Sequence, residues 1–502
     1  MREAARAAAI AEVIAGAARR MIHRLAEHAP VRVFTLVGLD APRDVSELRL
    51  HRDIRLVDAP RSANLLLVVG TLPPSMHAAA RQIHDMLAQP RCTLRWTVGD
   101  ATDTELFPHA ERLTVAADGM SPEDAVHRLA VELRKMHVAL LRGDRLAEPP
   151  LLPDADPAPW RGVGPYGQGG TGMTGGVPYG RPMAERAPDR DGLELDQLPV
   201  RVGPFFSPFP PGLVLDVKLQ GDVIQEAIVP GNAFSGAAPP KRLTPFTRAL
   251  TEPVRIAEIE CARAEHHLRW LAALLHLHGL DALGRRALAL AIEARRGSTP
   301  NTLAKVRALR VLLERTGGLA AATADIGRLP NEVLHGGGLG PVARAAGIAE
   351  DARIDDPAYA RLRFTPLVQG PAGPVGDARS RWRQRLAEVE QSLAIASIAG
   401  ETATRVSGIA IEGPRGAMMI GVGPSSTATL LGCLPALIAG MEWGDAVAVV
   451  ISLDLDMRDA ALETDPLRPP PVVDPDGEMG DMPGMAGMPG MGDGAMSRML
   501  RT

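Results

Sequence analysis

Three cysteines in 502 residues, at Cys92, Cys261 and Cys433, are too few and too scattered for a disulfide framework. They suit a reducing compartment, and they exclude a site built on local CxxC pairs. Aromatic residues make up only 3% of the chain, and no run of 18 apolar residues occurs, so no membrane-spanning helix is expected. Neither sign of charge dominates: 55 Lys and Arg face 59 Asp and Glu, for a net charge of -4. Without a basic surplus, nucleic acid is not expected as a partner. The GxSxG, HExxH and P-loop sequences are absent, which removes the commonest hydrolase, zinc-protease and nucleotide-binding signatures.

What is present is ordinary for a globular protein: 46% hydrophobic and 23% charged residues, over a length that accommodates two or three domains. The opening residues, MREAARAAAIAEVIAGAARRMIHRL, are Arg-rich and amphipathic in the manner of a transit peptide. Their two glutamates favour a first helix instead, over about 4–27. The expected localisation is cytoplasmic and peripheral on the inner face of the cell membrane.

Residues 1–145 read as α/β. Strands are expected at Val31–Val37, Asn64–Val69, Thr93–Val98 and Leu113–Ala116, with helices over Ser75–Ala88 and from Ser121 to about Leu141. The apolar run NLLLVV ending in Gly70-Thr71 has the form of a buried parallel strand, and Ser121-Pro122 that of an N-cap with proline at the first helical position. Such alternation predicts a doubly wound, flavodoxin-like sheet. Residues 146–200 are Pro- and Gly-rich and read as an extended linker; no strand precedes their GxGxxG-like spacing, so it is not read as a nucleotide loop. Residues 201–462 open on a hairpin turning at Gly221-Asp222 and continue as helices. These helices are expected from about Pro253, with Thr251 as N-cap, then over 280–297, 301–315, 341–348, 375–400, 426–440 and 444–451. A two-stranded piece is expected near 408–421. His266, His267, His276 and His278 lack the i+4 pairing of a helical metal site.

Residues 463–502 are a tail too poor in apolar bulk to fold alone. Met479, Met482, Met485, Met488 and Met491 recur every third residue within it. The tail reads first as a low-complexity or adhesive segment; thioether sulfur suits Cu(I), so it is also a copper-binding candidate.

Several segments carry a resemblance to a known family. LLLVVGTLPPSMHAAARQIHDMLAQPR (Leu65–Arg91) looks like the strand-GTLT-helix segment of the 20 kDa (cluster N2) subunit of respiratory complex I. VGPFFSPFPPGLVLDVKLQGDVIQEA (Val202–Ala227) looks like the GPxHPxxHG hairpin of its 49 kDa, quinone-site subunit. EPVRIAEIECARAEHHLRWLAALL, GGGLGPVARAAGI, GPVGDARSRWRQRLAEVEQSL, IEGPRGAMMIGV and WGDAVAVVISLDLDMRD then follow in the order of the 49 kDa family's later motifs. The chain thus resembles the two subunits fused end to end. The 49 kDa family shares its mainly helical fold with the nickel–iron hydrogenase large subunit, and that fold is expected for the second half.

The resemblance also marks losses. The 20 kDa family holds a [4Fe–4S] cluster on four cysteines; here those positions fall near Gly38-Leu39, at Asp100 and its neighbour Ala101, and at Met120. Four thiolates are the usual requirement, so no iron–sulfur cluster is expected, and without CxxC pairs no NiFe centre. In the hairpin loop, where the 49 kDa family has a histidine reaching the quinone headgroup, this chain has Phe205, Phe206, Ser207 and Phe209. Asp377, Arg379, Glu412 and Arg415 stand inside matched motifs. They read as remnants of the family's charged axis, or as structure, with Asp377 capping a helix and Arg415 paired to Glu412 in a turn.

Three functions follow as expectations. One is a non-redox, complex-I-like peripheral-arm subunit, docked on other peripheral subunits and on an antiporter-like, ion-translocating membrane partner. The second is a divergent quinone-linked oxidoreductase subunit, in the class acting on NAD(P)H, with a cavity near Phe205–Phe209 and Leu67–Met76. The third is a copper-binding protein acting through the tail.

Overall fold

The computed structural model describes residues 16–18, 21–99, 105–115, 121–154, 184–189, 192–237, 244–369, 376–404, 410–419 and 425–470. Two compact units are distinguished: residues 1–153 with 197–468, and residues 154–196 with 469–502. In the second unit the described part is the strand Glu185–Pro188 and the residues after it; the Asp189 amide donates to the Leu193 carbonyl at 2.6 Å.

In the first unit, β1 (Val31–Val37), β2 (Ile54–Leu56), β3 (Leu65–Val69), β4 (Cys92–Val98) and β5 (Glu111–Val115) form a parallel sheet in the order β2-β1-β3-β4-β5. That is a doubly wound strand order. The register pairs Val33 with Leu65, Leu65 with Cys92 and Leu94 with Glu111. Every residue of β3 is buried, as both faces of a central parallel strand require.

Alternation along the strands divides the sheet between two cores. Leu65, Leu67 and Val69 join Val31, Val33, Leu94 and Trp96 under α2 (Pro122–Arg142), which contributes Ala125, Leu129, Leu133, Met136 and Leu140. Ser121 caps α2, accepting the Asp124 amide. Leu66 and Val68, with Phe34 and Leu36, face the other way. They enter one continuous core with Met76, before α1 (His77–Met86), and with Phe205, Phe234, Leu268 and Trp270 from residues 197–468. A Cβ on Gly212 would stand 2.5 Å from the Phe234 ring and 3.3 Å from Met76 Cε, so the contact depends on that glycine. The two halves therefore share hydrocarbon.

The second half opens on β7 (Glu194–Val202), following β6 (Glu185–Pro188). β7 pairs antiparallel with β8 (Leu215–Gln220), and β8 with β9 (Val223–Ile228). Gly221, at φ +62°, opens the β8–β9 turn as expected. The helices include α3 (Ile256–Leu277), α4 (Asp281–Arg296), α5 (Pro300–Thr316), α6 (Pro341–Ala345), α7 (Ala378–Ile398), α8 (Ser426–Ile438) and α9 (Trp443–Leu453), with β10 (Ile411–Glu412) and β11 (Ala417–Met418) between α7 and α8. The whole is a mixed α/β architecture with a large helical part.

Three differences from expectation have simple causes. Strand β6 and most of β7 lie inside the stretch read as linker, because β7 is largely exposed and carries Pro199. Thr251 is not the α3 N-cap: its hydroxyl donates to the Arg248 carbonyl, closing the short helix Pro245–Ala249, and α3 begins at Ile256. Packing runs beyond 463, since the Asn232 side chain donates to Thr464 Oγ1 and the Arg201 guanidinium to the Arg468 carbonyl.

Candidate functional site

The charged residues of the helical part are gathered inside it. On α3, Glu260, Arg263 and His267 recur at i, i+3 and i+7 along the buried face. On α7, Arg381, Arg385 and Glu388 do the same at i, i+4 and i+7. All six are fully or almost fully buried, and buried charge persists where it is paired.

The pairs form a chain. The Glu260 carboxylate accepts from Tyr359 Oη at 2.6 Å, Ser392 Oγ at 2.5 Å and Arg353 Nη1 at 3.2 Å. Arg353 donates to Asp351 at 2.7 Å. Asp351 lies 3.1 Å from Arg344, which also donates to Glu388 and Glu412, each at 2.8 Å. Glu388 lies 3.4 Å from His267 Nε2, and the other His267 nitrogen is 3.0 Å from Arg385. Arg385 lies 3.0 Å from Asp454, which lies 2.7 Å from His266 Nε2. Arg415 closes this end, 3.5 Å from Asp454, 3.4 Å from Asp456 and 3.2 Å from Asp459.

Burial by itself would raise Asp454, but His266, Arg415 and Arg385 outweigh it and hold the carboxylate well below its usual range. His267 is pushed down to about 3, chiefly by burial, and is neutral at pH 7. Burial also lowers His266, whose Nε2–H then serves as donor to Asp454.

This end of the chain opens on a cavity of about 590 Å³ lined by His266, Asp454 and Arg415, by Trp270 and Arg269 of α3, and by the hairpin loop Phe206–Pro211. Its far wall belongs to the α/β half: Thr35, Asp44, Val45, Ser46, Arg49, Leu56 and Asp58. Phe206 and Phe209 meet edge to face at 4.9 Å, with Trp443 at 5.9 and 6.2 Å. Ser207 Oγ donates to Asp58 at 2.7 Å, tying the loop across to the sheet half. Phe205 is buried in the core and does not line the cavity, and neither does Leu67–Met76. Beside the cavity, Glu47 receives Arg269 and Arg295, and Arg295 also donates to Glu123 at 2.6 Å. Acids of the sheet half thus meet arginines of the helical half.

The residues singled out from the sequence fall into three groups. Asp377 caps α7, accepting the Ser380 amide at 2.7 Å, and Arg379 stands 3.8 Å from it. Glu412 and Arg415 are not a pair: Glu412 turns to Arg344 and the Ala352 amide, and Arg415 turns to the aspartates after α9. Phe206, Ser207, Phe209 and Arg415 reach the cavity, as do His266 and His276. Asp100, Ala101, Met120 and the five tail methionines lie outside the described residues.

A [4Fe–4S] cluster does not fit the donor set that is described. Leu39 and Thr71 exchange backbone hydrogen bonds of 2.8 Å, and a Cβ on Gly38 would stand 2.2 Å from the Thr71 carbonyl oxygen. Gly38-Leu39 is thus held in a close backbone crossing with Thr71. Cys92 is buried in β4 and its thiol is pushed up to about 12 by burial, the opposite of a ligating thiolate. Among the described residues no group of three or more His, Cys, Asp or Glu is placed to hold a metal ion.

Sequence reading missed Asp454, Glu260, Arg344, Arg353 and Glu388. A signal existed for two of them: ionisable residues stand at core spacing in α3 and α7, where the apolar stripe should be unbroken.

Residues 291–422 match the family of the respiratory-chain NADH dehydrogenase 49 Kd subunit. This part of the chain, which carries Arg344, Glu388, Glu412 and Arg415, is related to that subunit. No curated protein matches the chain significantly. Among the described residues no helix is long and apolar enough to cross a membrane.

Proposed function

We propose that this chain is a peripheral subunit of a complex-I-like assembly, related to NADH-quinone oxidoreductase, that carries no redox centre and serves as a structural piece. It docks other peripheral subunits and an ion-translocating, antiporter-like membrane partner. The match over 291–422 supports the subunit class. The observation that carries the non-redox reading is Gly38-Leu39, where backbone fills the place a cluster's tandem thiolates would need. In this reading the α/β half is a fused 20 kDa-like element whose shared core with residues 197–468 fixes the two halves as one body. The buried charge chain then acts as a specificity device, holding α3, α6 and α7 in one arrangement that hydrocarbon alone would leave looser. Anaerobic iron–sulfide reconstitution of the purified chain tests this: no cluster absorbance or paramagnetic signal is expected. A stoichiometric cluster would sink the proposal.

A second reading rests on the cavity. Its volume falls in the range of small-molecule sites, and it pairs an aromatic wall with the polar His266, Asp454 and Arg415. A quinone-linked subunit would use this space, with its electrons arriving from another subunit. Saturable quenching of Trp270 fluorescence by a soluble quinone analogue, abolished in Ile451→Trp, which fills the cavity, would favour it; no binding favours the structural reading.

A further inference from the structure

We propose that residues 148–152 are a strap held by two carboxylates, one its own and one on α1, and that acid releases this strap as a unit while the sheet beneath stays folded. After α2 the chain runs LAEPPLLP over residues 146–153. Three prolines deny it the amides of a strand ladder. Leu146 is 88% exposed, Leu152 is 37% exposed and Leu151 is half-buried. The buried residue of this stretch is a carboxylate, Glu148. Hydrocarbon therefore contributes little to the hold, and polar contacts supply it.

The Glu148 carboxylate accepts the Thr93 amide and the Thr93 hydroxyl, each at 2.7 Å, and stands 3.1 Å from His84 Nε2. From α1, Asp85 reaches the strap's backbone. It accepts the Leu151 amide at 2.9 Å and the Leu152 amide at 2.8 Å, and lies 2.8 Å from His84 Nδ1 and 3.1 Å from Arg91. The Glu148 amide donates to the Arg91 carbonyl at 2.9 Å. The buried His84 ring thus has a carboxylate at each nitrogen. The Thr93 amide, the two strap amides and Arg91 can only donate, so a proton on either carboxylate displaces a donor it holds. Burial alone would raise both acids. The Leu151 amide and His84 outweigh it for Asp85, and His84 and Thr93 for Glu148, so both carboxyls stay below their usual range. The hold is therefore complete above the free-acid values, ~3.9 and ~4.3, and is lost as pH falls through the lower folded ones. Arg145 also faces the latch, 3.5 Å from Glu148 and paired on its other side with Glu111. The Cys92 thiol, pushed up to about 12 by burial, stays neutral throughout. Residue 154 begins the second compact unit, so the strap is the stretch of chain that leads to it.

The test is hydrogen–deuterium exchange of the full chain from neutral pH into acid, corrected for the intrinsic pH dependence of exchange, with the buried strand β3 as internal reference. The prolines leave Leu151 and Leu152 as the exchangeable backbone amides of residues 149–153, so one peptide reads the strap. Its protection is expected to fall at least about tenfold between about pH 5 and pH 3 while β3 keeps its own. Glu148→Gln with Asp85→Asn should cut strap protection by at least about tenfold already at neutral pH, again with β3 protected. Strap amides that stay protected throughout the acid series, or that open only together with β3, overturn the proposal. So do strap amides that remain fully protected in the double variant. Should that variant fail to fold, as loss of β3 protection would show, the acid series on the native chain decides alone.

Discussion

Removing the Arg344 guanidinium is the sharpest test of the buried charge chain. Arg344 has no exposed side-chain surface and meets three carboxylates: Glu388 at 2.8 Å, Glu412 at 2.8 Å and Asp351 at 3.1 Å. Arg344→Met fills much of the volume but leaves all three uncompensated by it. Asp351 keeps Arg353 at 2.7 Å, and Glu388 keeps Gln384 at 2.7 Å. Glu412 is left with the Ala352 amide at 3.0 Å. Breaking a buried pair from one side costs about 3–5 kcal/mol, more than the ~1.5 kcal/mol ceiling of a tolerated hydrophobic swap. Urea midpoints read by tryptophan fluorescence would measure it. The pH dependence is equally specific. Burial alone would raise Glu388, but Arg344 and His267 hold it well below the usual carboxylate range. That stabilisation is present above the unfolded carboxylate value, ~4.3, and is lost as pH falls through the lower folded one. The variant lacks most of it, so the gap to the native chain is widest at neutral pH and narrows on acidification. A neutral-pH penalty below about 1 kcal/mol would falsify the reasoning, as would a gap that widens in acid.

Gly38→Ala should destabilise the chain by about 1–3 kcal/mol, because its methyl group meets the Thr71 carbonyl at 2.2 Å; an unchanged melting temperature would remove the argument from the backbone crossing. His267 is held at about 3 against an ordinary 6.5, so its neutral form favours folding above the unfolded value and this is lost as pH falls. His267→Gln should therefore flatten stability against pH between 6.5 and 3, a span worth about 4–5 kcal/mol at most; calorimetry across that range checks it. Glu47→Ala removes an acceptor shared by Arg269 and Arg295, which keep Asp44 at 3.0 Å and Glu123 at 2.6 Å. The expected cost is about 1–3 kcal/mol, read as a lower urea midpoint.

The local elements were largely legible in the sequence, and the reasons are particular. β3 announced itself through five consecutive apolar residues, α2 through Ser121-Pro122, and the β8–β9 turn through Gly221-Asp222. β7 and the three-residue β2 were not legible: one is largely exposed, and the other is too short to show a period. The site was harder still. Glu412 and Arg415 stand three residues apart and suggested a pair, but β10 and β11 turn them to opposite sides, toward Arg344 and Asp454. Partners 39 to 68 positions away, such as Asp454 for Arg415 and Arg344 for Glu412, are set by helix packing and leave no local trace. The division of the sheet's two faces between separate cores was likewise invisible until the second half was seen to cover one of them.

The proposed role is that of a structural subunit of a complex-I-like membrane assembly. Affinity purification of the tagged native chain from detergent-solubilised membranes, with mass spectrometry of the chains that come with it, tests that role most directly. The account predicts co-purification of other peripheral subunits and an antiporter-like membrane subunit in fixed proportion. Recovery of the chain alone, or with unrelated soluble proteins, would contradict it.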